Sequence, residues 1–162
     1  MATKGDDLGS LEGALNAAMK AMKDGLEDTI KSAGTGGLVT AVRETPVDEG
    51  PARSSWIVTV GAPSSETRAA FVPGKKQVKG ESAIAAAAIA AGKAVIACFK
   101  IESKQPLTIV NNQDYIVLLD QGASSQSPEG MSDKAEARIL EDILKGLIRS
   151  IPDKINRAIL RS

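Results

Sequence analysis

Residues 45–63 read TPVDEGPARSSWIVTVGAP, and this stretch decides the fold. Pro46 presets its own φ and pushes Thr45 towards an extended conformation. Asp48, Glu49 and Gly50 form a turn, because Asp can bond its own backbone and Gly tolerates positive φ. After Arg53 the pattern becomes that of a strand. Trp56, Val58 and Val60 fall on one face, Ile57 and Thr59 on the other. Gly61 and Pro63 close the run. A polar turn feeding a two-sided strand, with the only tryptophan at its start, is specified for packing; it holds no catalytic set.

Composition narrows the function further. The 162 residues fit one domain spanning 1–162, large enough for a core of its own. Only four residues are aromatic, so that core is aliphatic. Twenty basic and twenty acidic residues cancel, so no net charge draws the chain to nucleic acid or anionic lipid. The chain contains no histidine, which removes the commonest general base and metal ligand. Its one cysteine, Cys98, lies in AVIACF and reads as a small buried apolar residue. It can form no disulfide within the chain, which fits a reducing compartment. A serine nucleophile at Ser124 or Ser125 would need a lysine base, so a hydrolase is the weakest reading. No cofactor or metal site is expected.

Working outward towards the N-terminus, residues 1–7 are polar and expected to be disordered. Leu8, Leu11, Leu15, Met19, Met22, Leu26 and Ile30 recur at three- and four-residue steps and predict an amphipathic helix to about Ala33. Gly34 to Gly37, GTGG, predict its C-cap and a loop. Towards the C-terminus, Ala69 to Val72 fit a short strand, and residues 73–80, with Lys75, Lys76 and Lys79, a flexible basic loop. Ala83 to Phe99 predict an Ala-rich helix with Ile84, Ala88, Ala91, Val95 and Cys98 on one face. One charge in seventeen residues raises a membrane span, but the apolar length falls short of the roughly 20 residues needed.

Leu107 to Val110 then predict a strand. Tyr115 to Leu119 alternate with apolar residues on both faces and read as an interior or interfacial strand. Asp133 with Glu136 reads as a capping box opening a C-terminal helix, which Pro152 kinks or breaks. The expected class is α+β. A small, mostly antiparallel sheet packs with a long N-terminal helix, the Ala-rich central helix and the C-terminal helix.

Some fifty residues after the first stretch, residues 111–131 read NNQDYIVLLDQGASSQSPEGM. The ordered pair resembles tail-completion and neck proteins of tailed bacteriophages, the minor tail protein Z type. That family typically reads T-P-V-D-T-G-x-[AL]-[RK]-x-x-W, then N-x-x-x-Y-[AI]-x-x-L-[ED]-x-G-x-S-x-Q-[AS]-P-x-G-M, then a long helix. The resemblance covers Thr45 to Met131. Glu49, Pro51, Ser127 and Glu129 depart from it.

By position, the resemblance points to Asp48, Gly50, Arg53, Trp56, Tyr115, Asp120, Gly122, Ser125, Gln126 and Pro128 as subunit-interface residues. The expectation for assembly is that Arg53 and the loop Gly122 to Pro128 lie at or beside the subunit boundary, with Arg53 paired to a carboxylate, Asp48 nearby or Asp120 further off. It implies a non-enzymatic virion subunit, assembled in the bacterial host cytoplasm. There it forms a homo-oligomeric ring, of six copies, that completes or terminates the tail and joins it to the head. The implied partners are further copies of the chain and neighbouring neck, connector and tail-tube proteins, with only non-specific proximity to genome DNA in the channel and no membrane. The alternative from the residues alone is a cellular adaptor domain in a heteromeric complex.

Overall fold

The computed structural model describes residues 4–46, 51–70, 83–125 and 127–159. The expected turn at 48–50 and the basic loop at 73–80 lie outside them. In chain order the elements are helix α1 (Lys4–Glu44), the single turn α2 (Pro51–Ser54) and strand β1 (Trp56–Val60). They continue with helix α3 (Ala83–Ala97), a 3-10 turn (Ile101–Ser103) and strand β2 (Leu107–Asn111). The short helix α4 (Ile116–Asp120) and the long α5 (Ser132–Ile159) complete the described chain. The two strands pair antiparallel, with Val58 opposite Ile109. The class is α+β, as the patterning predicts.

The largest departure is α1, which runs through GTGG and reaches Glu44 without a break. Local propensity opposes this by about 1 kcal/mol per glycine. The reason lies across the interface with α5. Gly37 sits beside Ile139, Gly36 beside Asp142 and Gly146 beside Thr29, so the two helices run antiparallel. A Cβ on Gly37 would collide with the Ile139 side chain, and one on Gly146 would lie 2.5 Å from Thr29. The glycines are there to let two helices approach closely, and the packing gained outweighs their poor propensity. Helix α1 also begins at Lys4, so residues 4–7 are helical, against the expected disorder.

The core lies where α1, α3, the sheet and the start of α5 meet. Leu38, Ala41, Val42, Trp56, Val58, Ala85, Ala88, Ile96 and Met131 form it. On α3 the buried face is Ile84, Ala85, Ala88, Gly92 and Ile96, because Gly92 seats against Leu38 and Val58. This turns Cys98 outward. It is exposed, just beyond the helix end, and Phe99 takes the buried place. Ala69 and Ala70 belong to no strand. Helix α5 continues through Pro152, which deletes one intrahelical hydrogen bond without ending the ladder on either side.

Glu27 ties α1 to the turn that follows α3. Its carboxylate accepts from Lys31 Nζ at 2.7 Å, Lys100 Nζ at 3.1 Å and the Ile101 amide at 3.2 Å. The Lys31 bond leads in holding its pKa down to about 2, with Lys100 and the amide adding to it. A lowered folded-state pKa gives stability that is present above the unfolded value and lost as pH falls.

Three outcomes are expected. Gly13 has nothing within 4 Å, so Gly13→Ala should stabilise by up to about 1 kcal/mol, while Gly37→Val should cost about 1–3 kcal/mol in chemical denaturation. For Glu27, stability followed from pH 5 downwards should fall towards pH 2 in the parent, and fall less steeply in Glu27→Gln.

Candidate functional site

The two motifs meet at one hydroxyl group. Thr45 follows the last turn of α1, and its hydroxyl donates to Ala41 O at 2.6 Å. It accepts from Trp56 Nε1 at 2.7 Å and lies 3.2 Å from Met131 Sδ. Thr45 and Met131 are fully buried, and Trp56 nearly so. The indole N–H, which a buried Trp must satisfy, is thereby bonded inside the core.

Arg53 completes this corner. The turn α2 aims its guanidinium back at the end of α1, where Nη2 donates to Thr45 O at 2.8 Å and Arg43 O at 3.4 Å. A cation there suits both the orphan carbonyls and the negative end of the helix dipole. Burial lowers its pKa, but from so high a value that it stays charged. Arg53 is completely buried within the subunit, so neither it nor Trp56 presents itself to a neighbour.

The second motif departs from the strand that alternation predicts. Residues 116–120 form α4, with Tyr115 at its N-cap position. One face carries Ile116 and Leu119 against the core. The other leaves Val117 and Leu118 exposed, at 59% and 58%, with Tyr115 beside them. An apolar run of five cannot be told from a buried helical turn by periodicity; here the helix wins because only one side is covered.

After α4 the chain makes a closed loop. Gly122 and Gly130 both have positive φ, at 83° and 75°. A Cβ on Gly122 would strike the Pro128 carbonyl, and one on Gly130 the Asp120 carbonyl. Ser127, fully buried, donates its hydroxyl to Gly130 O at 2.8 Å. Ser125 and Pro128 lie outside on this loop, exposed. Asp120 Oδ1 accepts from the amides of Met131 and Ser132, at 2.8 and 2.7 Å. Burial opposes ionisation of this carboxyl, but the two amides outweigh it and its pKa is lowered. Asp120 thus caps α5 from eleven residues upstream. Asp133, the expected N-cap, lies inside the first helical turn.

Three consecutive amide side chains pin the chain on both sides of β1. Asn111 Nδ2 donates to Ala52 O at 2.7 Å, and Asn112 Nδ2 to Ser64 O at 2.7 Å. Gln113 Nε2 donates to Ser55 Oγ at 2.7 Å and Arg68 O at 3.0 Å. The signal for them was the NNQ triplet after an apolar run, which reads only as a strand break.

The structure therefore joins Arg53 and Trp56 through Thr45, and Asp120, Gly122 and Pro128 through the second loop. Met131 links the two sets. Asp48, Gly50 and Gln126 lie outside the described residues. Beside the junction runs a groove of about 450 Å³, lined by Ile109, Asn111, Val117, Asp120 and Ser132 among others. Among the described residues no three His, Cys, Asp or Glu side chains cluster to hold a metal. No described helix is long and apolar enough to cross a membrane. No protein-family model, no curated protein and no solved structure matches the chain.

Thr45→Val keeps the shape and strands the indole N–H in the core. It is expected to cost about 1–3 kcal/mol in urea unfolding, and pairing it with Trp56→Phe should recover part of that loss.

Proposed function

We propose that the protein is a structural subunit that assembles with copies of itself, and that its role is that of a neck or tail-completion ring joining head to tail in a tailed bacteriophage. One observation carries the self-assembly: two lines of large apolar side chains stand in water along the helix pair. On α1 they are Leu11, Leu15, Met19 and Met22, with Leu11 66% exposed. On α5 they are Leu140, Leu144, Leu147 and Ile148, with Ile148 73% exposed. Contiguous apolar surface of this kind marks an interaction site on a soluble protein. Zero net charge means that copies do not repel one another.

The phage role comes from the resemblance of the two motifs. It is supported by their convergence on Thr45 and Met131, which gives an ordered pair of sequence stretches a single physical purpose. That purpose is architectural, so any ring contact falls to the exposed helical surfaces and the second loop rather than to Arg53. Six copies, at the top of the tail, is the arrangement this reading favours. Arg53→Ala should therefore disturb folding, since its bonds are to the end of α1.

Native mass measurement of the purified protein tests the first part. The wild type is expected as a closed oligomer. Leu140→Glu with Leu144→Glu should give folded monomers with unchanged circular dichroism, since both side chains are already exposed. A wild-type monomer at every concentration would remove the proposal. For the phage role, particles made without this protein should show unjoined heads and tails by electron microscopy.

A further inference from the structure

The sheet has two strands, and the hydrogen-bond parity of its ladder tells which main-chain groups of β2 face outward. Gly61 N donates to Pro106 O at 2.8 Å, which makes that facing pair a hydrogen-bonded one. Facing pairs alternate along an antiparallel ladder. With Val58 opposite Ile109, the bonded pairs are then Thr59 with Thr108 and Ile57 with Val110. The main-chain groups of Leu107, Ile109 and Asn111 consequently point away from β1. Among the described residues none bonds to them.

These groups are reachable. All five residues of β2 are half-buried; opposite its outward-facing positions on β1, Trp56 and Val58 are buried and Val60 is exposed. The groove described above lies along this strand, since Ile109, Val110, Asn111 and Asn112 line it together with Ile116, Val117 and Gln121 of the α4 region. Exposed Val117 supplies an apolar wall. Asp120, the carboxylate in the groove, already accepts the amides of Met131 and Ser132. The strand itself, LTIVN, has no charge, no proline and no bulge, the features that ordinarily protect an edge. A row of main-chain donors and acceptors at strand spacing, facing such a groove, is complementary to one kind of occupant: an extended polypeptide segment.

We propose that the outer edge of β2 receives an extended segment of a second copy of this chain, which becomes a third strand of the sheet. A second copy is chosen because the apolar helix surfaces and zero net charge already bring copies together, so this inference rests on the self-assembly reading. It adds to that reading where one copy grips the next: by main chain at β2, with Val117 under the incoming strand. Strand addition also raises the sheet from two strands to three, the number at which a sheet gains stability of its own.

Amide-resolved hydrogen exchange on the full-length protein, dilute and assembled, tests it. Thr108 and Val110 should be protected in both states, because β1 holds them. Leu107, Ile109 and Asn111 should exchange freely when dilute and slow by at least about tenfold on assembly. Val117→Lys should weaken that protection and lower the assembled mass. Assembly with the three amides still exchanging freely would overturn the proposal and leave self-assembly standing. Slow exchange already in the dilute monomer would overturn it too, by showing the edge occupied from within. A chain that never assembles removes both.

Discussion

Everything at the junction depends on the hydroxyl of Thr45 being satisfied on both sides. It closes the last turn of α1, fills the only hydrogen-bonding capacity of the Trp56 ring, and lies against Met131. The cost of a mispaired polar group is highest where water is absent. A site with three partners drawn from residues 41, 56 and 131 consequently admits one arrangement of three elements and penalises the rest. Arg53 reinforces this by gathering the free carbonyls at the end of the same helix. The corner behaves as a lock between helix, sheet and loop.

The second loop serves the same corner from the far side. Two glycines with positive φ let main chain touch main chain, and Asp120 receives the first amides of α5. The direction in which α5 leaves the core is fixed there, before any contact with α1 is made. The small residues on the helix pair then let the two axes close together along Gly36, Gly37 and Gly146. Capping sets the angle, and glycine sets the distance.

How far this was legible depends on whether a residue's job is local. Trp56 to Val60 is a strand because alternation and its flanking breakers agree, and nothing distant contradicts them. The Ala-rich helix and the strand at Leu107 are legible for the same reason. GTGG misleads because its glycines answer to Ile139 and Asp142, about a hundred residues away, and a single sequence carries no trace of that pairing. Cys98 misleads because the buried face of α3 runs through Ala85, Gly92 and Ile96, set by the seat of Gly92 on Leu38 and Val58, and not through Ala91 and Val95. YIVLL misleads because apolarity on both sides suits a central strand and a half-covered helical turn equally. Of the candidate site, Arg53 and Trp56 meet at Thr45, and Asp120 and Gly122 hold the second loop. The bonds of these four are within the subunit, a use that the motif pattern cannot distinguish from contact with a neighbour.

The uninterrupted course of α1 has a mechanical side. Forty-one residues at 1.5 Å rise make a rod of about 60 Å. The sheet and α3 grip only its C-terminal portion, from about Glu27 onwards. Ahead of that tether its described companion is α5: Gly146 meets Thr29, and α5 runs on antiparallel for thirteen more residues to Ile159. At the helical rise that is about 20 Å of paired rod beyond the tether. A slide of one helix along the other at Gly36 and Gly37 is thus carried the length of that arm.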